Sequence, residues 1–367
     1  MRMLLFFVIV VHGLIHLLGF VKAFRLAPVS QLAQDISRPA GLFWLLAAAL
    51  FLVAGALLIA RNDSWWIPAA VAVAISQVLV IAAWGDARFG TVANVIVLLA
   101  LVPALAGTLP GSFSREFERA AREGLRRTAE PSAVTEGDLA RLPEPVRKYL
   151  RYCGAVGRPR VRNLHVTFTG TIHRTLQSGP MRITVEQYEF FDPPMRLFYM
   201  KASVFGVPFD GLHVFRGTSA TMRVRIASLF QVVDARGPMM AQSETVTLFN
   251  DMCVLAPTTL VDGHIQWEPV DSLTARARFT KDGITIGAEL RFNEAGELVD
   301  FVSRDRFMSA DGVHGEICPW STPVRDYREF DGRRVSTFGE AVWHTPRGAF
   351  TYARFVVKTI EYDCGEK

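Results

Sequence analysis

Charge is what the first third of this 367-residue chain lacks. Between Met1 and Ser112 stand only six Lys or Arg and three Asp or Glu, so 34 of the 40 basic and 32 of the 35 acidic residues lie beyond Ser112. A stretch so poor in charge has no solvated face. It excludes an ordinary soluble domain there and divides the chain into a membrane part and a soluble part. Cysteine is scarce as well. Cys153, Cys253, Cys318 and Cys364 are far apart with no C-x-x-C spacing, which argues against zinc and leaves no expected metal site. An even count permits disulfides in an oxidising compartment, yet Cys253 lies on an apolar helical stripe and reads as a small buried residue, which favours the cytoplasmic side. Also missing are a G-x-S-x-G elbow, an H-E-x-x-H pair and a glycine-rich phosphate loop. The net charge of +5 is spread too thinly to suggest nucleic acid, and there is no repeat or low-complexity tract.

Four apolar runs fill the uncharged third: Met3 to Val21, Pro39 to Ala60, Ser64 to Gly85 and Phe89 to Ser114. Each reaches the roughly 20 residues that cross about 30 Å of hydrocarbon, so residues 1–111 are expected to form a four-helix transmembrane bundle in the lipid bilayer. The first run is not read as a signal peptide, because no small-x-small cleavage site precedes Lys22 and three more spans follow. Basic residues at the run ends are divided: Arg2, Arg61 and the arginines from Arg115 onward share one side, against Lys22, Arg25, Arg38 and Arg88. The positive-inside rule then favours both termini, and the soluble part, in the cytoplasm, although the first helix alone, followed by Lys22 and Arg25, argues the other way. Inside the spans, His12 and His16 share one helix face, while Gln77 and Asn94 come out at a depth similar to His16. One reading is a quinone, haem or metal site at that level; the other is interhelical hydrogen bonding that fixes the bundle. Lys22 to Arg38 fits either a short interfacial segment or a loop with a few buried anchors.

Residues 112–138 read as an amphipathic helix followed by a linker. Phe113, Phe117, Ala120, Ala121 and Leu125 recur at helical spacing among five Arg and three Glu, which suits either a headgroup-touching helix or a plain stalk. Thr128 to Asp138 is polar, contains Pro and Gly, and has no period. Residues 139–367 read as an α+β soluble domain with a curved antiparallel sheet of about nine strands. The segments Val161 to His173, Arg182 to Phe191, Met195 to Val204, His213 to Ala227, Leu273 to Phe279, Ile284 to Phe292, Leu298 to Phe307, Ser336 to His344 and Phe350 to Tyr362 are rich in β-branched and aromatic residues. Gln177 to Pro180, Lys281 to Gly283 and Glu294 to Gly296 supply turns. A single helix, Met239 to Leu260, crosses this half-barrel-like sheet. It carries Ser243, Glu244, Asn250, Asp251 and Cys253 in an otherwise apolar run, which makes it the expected wall of a pocket.

At these residues the chain resembles a known group. L-P-E-P-V-R-K-Y-L-R-Y-C-G from Leu142, P-F-D-G-L-H from Pro208, S-E-T-V-T-L-F-N-D-M-C-V-L-A-P from Ser243 and P-W-S-T-P-V-R-D-Y from Pro319 together resemble an uncharacterised bacterial membrane-protein family, one of the domains of unknown function, over Leu139 to Tyr362. The segment H-G-L-I-H-L-L-G-F-V-K-A-F from His12 is similar to the four-helix part that some members carry. The resemblance implies no activity, cofactor or catalytic residue.

The expected function is the binding of a lipid or another apolar small molecule without catalysis or cofactor. Glu244, Asn250, Asp251, Asp305, Arg306, Trp320 and Tyr327 are the polar and aromatic pocket candidates, and a buried Asp and Arg of the 250–251 and 303–306 segments are expected either to form an ion pair that holds helix to sheet or to bind a polar headgroup. The alternatives are a membrane hydrolase or redox enzyme acting on a lipid-like or quinone-like substrate, and an interaction or sensing partner of other membrane proteins.

Overall fold

The computed structural model describes residues 2–366 apart from 127–131, 174, 176, 177 and 205; residues 128–131 of the expected linker and Gln177 of the expected turn lie outside the described residues. The chain divides into two compact units, one built on Met1–Ser112 and the other on most of the chain from Phe113 on.

The first unit contains α1 (Arg2–Ala23), α2 (Arg38–Ile59), α3 (Trp66–Ala82), the single turn α4 (Trp84–Ala87) and α5 (Gly90–Ala106). Three helical stretches, Arg2–Ala23, Arg38–Ile59 and Asp63–Ala82, are long and apolar enough to cross a membrane. The fourth apolar run departs from expectation. Its helix has 17 residues and rises about 25 Å; the Gly107 amide makes its last i→i−4 bond, to the Pro103 carbonyl, and Thr108 and Leu109 then bond three residues back in a turn. Close packing of α1 on α2 depends on small residues: a Cβ on Gly19 would lie 2.3 Å from the Trp44 ring, and one on Gly13 2.8 Å from Phe51 Cβ. The segment after Ala23 is irregular up to Arg38. Leu32 is its buried anchor, the Lys22 ammonium donates to the Leu32 carbonyl, and the Gln34 amide donates to Asp86 at 2.9 Å. It is an anchored loop.

The second unit opens with α6 (Phe113–Leu125), α7 (Glu136–Leu139) and α8 (Glu144–Tyr152). Strands β1 (Asn163–Ile172), β2 (Met181–Phe191), β3 (Pro194–Val204), β4 (Val207–Arg216), β5 (Ser219–Ile226) and β6 (Phe230–Arg236) then follow one another as antiparallel neighbours. Helix α9 (Pro238–Leu255) comes next, then β7 (Ile265–Pro269), β8 (Thr274–Lys281), β9 (Ile284–Phe292) and β10 (Leu298–Ser303). The chain ends with β11 (Phe307–Ser309), β12 (Gly315–Ile317), β13 (Trp320–Ser321), β14 (Val324–Phe330), β15 (Arg333–Thr345) and β16 (Gly348–Tyr362). Fourteen strands make one sheet in the order β6-β5-β4-β3-β2-β1-β16-β15-β13-β10-β9-β8-β7, with β14 on β15, while β11 and β12 form a separate ribbon.

The topology fixes where the helix must go. β6 and β7 are the two ends of the sheet and are consecutive in sequence, so α9 is the segment that joins one end to the other. It touches β5 and β6 on one side and β9, β10 and β15 on the other. A sheet whose distant strands all reach one helix is curled around it into a half-barrel. Fourteen consecutive or near-consecutive residues of α9, from Ala241 to Leu255, are buried. Thr245 and Thr247 satisfy their hydroxyls on the carbonyls of Ala241 and Ser243, at 2.9 and 3.0 Å. The helix ends before Pro257, whose ring disfavours the α conformation at Ala256, and a 3-10 turn, Pro257–Val261, completes the expected helical run.

The strand count exceeds the expected nine. The expected strand from His213 to Ala227 is two strands separated by the turn at Gly217, and β6, β7, β12, β13 and β14 had no counterpart among the expected segments. Two of these misses, β14 and β6, share a physical cause. β14 reads V-R-D-Y-R-E-F with most residues exposed, and β6 is a largely exposed edge strand, so neither shows the apolar alternation of a buried strand. Helix α6 turns its apolar side to the outer face of the sheet: Phe113, Phe117 and Ala121 are buried with Phe190, Met195, Leu197, Tyr199 and Leu212. Its glutamates also pair with the sheet, Glu123 with Arg216 at 2.9 Å and Glu116 with Arg223 at 2.5 Å.

Candidate functional site

Between the inner face of the curled sheet and α9 lies a cavity of about 360 Å³. Its apolar wall includes Phe168, Phe198, Val254, Leu255, Trp343 and Phe355. At 360 Å³ it falls near the lower end of the roughly 300–1,000 Å³ that small-molecule sites occupy.

One end is polar, and it is built by strict alternation along two neighbouring strands. On β2, Gln187 and Glu189 are in phase with the buried Ile183 and Val185, so they point to the same side as those residues. On β3, Arg196 stands opposite Glu189 in register. The Arg196 guanidinium reaches across to α9: Nε donates to Asp251 Oδ2 at 2.8 Å and Nη1 to Glu244 Oε2 at 3.2 Å, while Nη2 donates to Gln187 Oε1 at 3.0 Å. Gln187 Nε2 closes the ring on Asp251 Oδ2 at 2.9 Å. Arg306 approaches Glu244 from the other side, at 4.0 Å, and donates to Ser243 O at 3.1 Å and to the Thr247 hydroxyl. Its guanidinium lies over Trp320 at 4.5 Å and Trp343 at 5.7 Å, a cation–π arrangement.

The protonation states follow from these surroundings. Burial, reinforced by the Asp251 charge, pushes Glu189 well above the usual carboxyl range, and no cation pairs with it among the described residues. Glu189 is a neutral acid. Burial would also raise Glu244, but the charges that face it outweigh that effect and hold it below the usual range. Those charges are His213 first, then Arg196 and Arg306; His213 itself is driven down to about 4 by burial. Four buried polar atoms of the cavity lining have no hydrogen-bond partner among the described residues: Nε2 of His213, Oδ1 of Asn250, Nε of Arg306 and Oγ1 of Thr322.

A family model described as a family of unknown function, DUF6544, matches residues 132–355. The chain belongs to this family. The DUF6544 segment thus takes in all of α9 and every strand named above except the last part of β16. No curated protein matches the chain. Solved structures similar to it include a DUF1329 family protein from Desulfovibrio piger, at 14% identity over 62% of this chain and 95% of that one, with a TM-score of 0.35. A LolA superfamily protein from Nitrosomonas europaea is 8% identical over 59% of this chain and 92% of that one, with a TM-score of 0.32. Likenesses this distant do not decide what a DUF6544 chain binds.

Five of the seven pocket candidates meet in the DUF6544 cavity: Glu244, Asn250, Asp251, Arg306 and Trp320. Two lie elsewhere. Asp305 turns back to β9, where Oδ2 accepts from the Gly287 amide at 2.6 Å. Tyr327 donates to the Leu298 carbonyl at 2.9 Å and packs edge-on against Tyr152. The expected ion pair between helix and sheet exists with different strands, since Asp251 pairs with Arg196 of β3 and not with the 303–306 segment. Gln187, Glu189, Arg196, His213 and Trp343 were missed; the in-phase position of Gln187 and Glu189 on β2 was the available signal.

The polar residues of the first unit also come together. His16 Nδ1 donates to the His12 carbonyl at 2.8 Å, which leaves His16 Nε2 to accept from Ser76 Oγ at 2.9 Å. His12 Nε2 then donates to Asn94 Oδ1 at 2.9 Å, Asn94 Nδ2 to Gln77 Oε1 at 3.0 Å, and Gln77 Nε2 to Thr91 Oγ1 at 3.2 Å. Ser76 and Thr91 were not anticipated. Among the described residues no group of three His, Cys, Asp or Glu side chains is placed to hold a metal.

Proposed function

We propose that this chain is an integral membrane protein whose β-rich domain holds one apolar small molecule between sheet and helix, without chemistry on it. The cavity itself carries the reading. It is walled by aromatic and aliphatic side chains and closes on a polar end whose charges already face one another. Such a combination suits a greasy molecule with a small polar head.

Anchoring in the bilayer is part of the proposal. In the first unit His12, His16, Ser76 and Asn94 are buried, while Phe7, Val78 and Leu99 are more than three-fifths exposed. This inside-out distribution suits hydrocarbon as solvent and makes the histidine chain a set of interhelical ties. The domain organisation 1–111, 112–138 and 139–367 and the cytoplasmic placement of the soluble part belong to the same reading, the latter on the positive-inside rule.

The test is native mass spectrometry of the full chain, followed by denaturation and lipid analysis of what is released. A cavity-filled variant, Val254→Trp, serves as reference because Val254 lines the cavity on α9. The reading predicts one apolar species per wild-type chain that the variant lacks. Identical lipid profiles in the two proteins would refute it.

A further inference from the structure

The head group that the cavity accepts can be read from three of the four unpartnered atoms of its lining, since the fourth, the Thr322 hydroxyl, both donates and accepts and so selects neither. Glu244, Thr247 and Asn250 recur every third residue and so share one face of α9, and all three line the cavity. Around that face stand the others: His213 Nε2 is 3.6 Å from Glu244 Oε1, and Arg306 Nη2 is 4.0 Å from the same oxygen.

Their hydrogen-bond needs differ in sign. Arg306 Nε carries a proton and can only donate. Asn250 Oδ1 can only accept, and its orientation is set by Asp251, because the Asn250 amide nitrogen faces Asp251 Oδ1 at 3.3 Å and a flipped amide would oppose two oxygens. His213 Nε2 takes either role according to its tautomer. A complementary head therefore offers both a lone pair and a proton.

Charge narrows the choice. The ionised groups buried here are balanced, Glu244 and Asp251 against Arg196 and Arg306. A carboxylate head would add an unbalanced negative charge and leave Asn250 Oδ1 facing oxygen. An alkylammonium head would give Arg306 Nε nothing to donate to. The modest volume favours a single chain.

We propose, on the reading that this cavity holds an apolar molecule, that its ligand is a single-chain neutral lipid with a hydroxyl head, of the fatty alcohol or monoacylglycerol class. The hydroxyl accepts from Arg306 Nε and donates to Asn250 Oδ1, while the chain runs along the wall that includes Phe198, Val254 and Phe355.

The test uses the full chain in phospholipid nanodiscs and three photo-crosslinkable probes of equal chain length: a diazirine fatty alcohol, the matching carboxylate and the matching alkyltrimethylammonium. Labelling of cavity peptides is followed against probe mole fraction in the bilayer. The alcohol is expected to half-saturate at a mole fraction at least about 10-fold lower than either charged probe, the usual consequence of leaving a buried polar atom unpaired. Asn250→Leu is expected to remove that advantage while cavity labelling persists. Equal half-saturation of all three probes in the wild type, or preference for a charged one, overturns the head-group assignment and leaves the cavity reading standing. Failure of every probe to label the cavity overturns the cavity reading itself. The wild-type comparison decides even if the variant does not fold.

Discussion

Replacing Arg196 with methionine should destabilise the soluble unit strongly, and more so at high pH. The arginine makes three hydrogen bonds, at 2.8 Å to Asp251, 3.2 Å to Glu244 and 3.0 Å to Gln187, and all four side chains are buried. Methionine fills similar space but leaves two carboxylates without their shared cation. Removing one partner of a buried ionic cluster costs about 3–5 kcal/mol. For a unit of this size that corresponds to roughly 6–20 °C in Tm at about 2–4 °C per kcal/mol. The pH dependence has a definite sign. In the wild type, Glu244 is held below its ordinary value of 4.5, so its contribution is present above that pH and is lost as pH falls. In the variant Glu244 has lost a facing cation and burial raises its carboxyl, so the folded state keeps a proton that the unfolded chain has released, and stability is lost as pH rises above about 4.5. The deficit should therefore be small near pH 5 and large near pH 8. Thermal unfolding of the full chain in detergent, followed by circular dichroism at both pH values, measures it. Adding Glu244→Gln and Asp251→Asn to Arg196→Met should restore most of the loss. An Arg196→Met protein with unchanged Tm, or with the same deficit at both pH values, would refute the reasoning.

Glu189→Gln should behave in the opposite way. The folded wild type holds the Glu189 proton well above the ordinary 4.5, so it loses stability as pH climbs past that value, and the glutamine variant should gain on it between pH 5 and pH 8 in the same assay; parallel Tm curves would contradict the neutral acid. Gly19→Val should disrupt the first unit, because a Cβ there would meet the Trp44 ring at 2.3 Å, and overpacking of this kind costs about 1–3 kcal/mol. Loss of helical signal at lower temperature than wild type checks it, and an unchanged helical transition would show that Trp44 can move aside.

What the sequence revealed and what it hid divide along physical lines. The apolar helices announce themselves by absence of charge, and α9 by a helical run between strand patterns. The fourth span was overestimated because the uncharged run continues past Gly107, where the i→i−4 hydrogen bonding ends. Five pocket residues were legible because four sit on or near α9 as polar exceptions in apolar surroundings and Trp320 neighbours them. Arg196 was not, since an arginine in a strand reads as solvent-facing and only the partner carboxylates on a distant helix make its burial affordable. Asp305 was misplaced because an inward carboxylate that accepts a backbone amide looks the same in sequence as one that lines a pocket. Edge strands β6 and β14 were hidden by their exposed, charged faces.

The central claim is that the cavity between sheet and α9 is occupied by one elongated apolar molecule. The most direct measurement is an electron cryomicroscopy map of the full chain purified from membranes. The account predicts continuous density that starts beside Arg306 and Asn250 and passes Val254 toward Phe355. A map in which Phe198, Met240 and Trp343 have closed over that space, with no density between them, would contradict it.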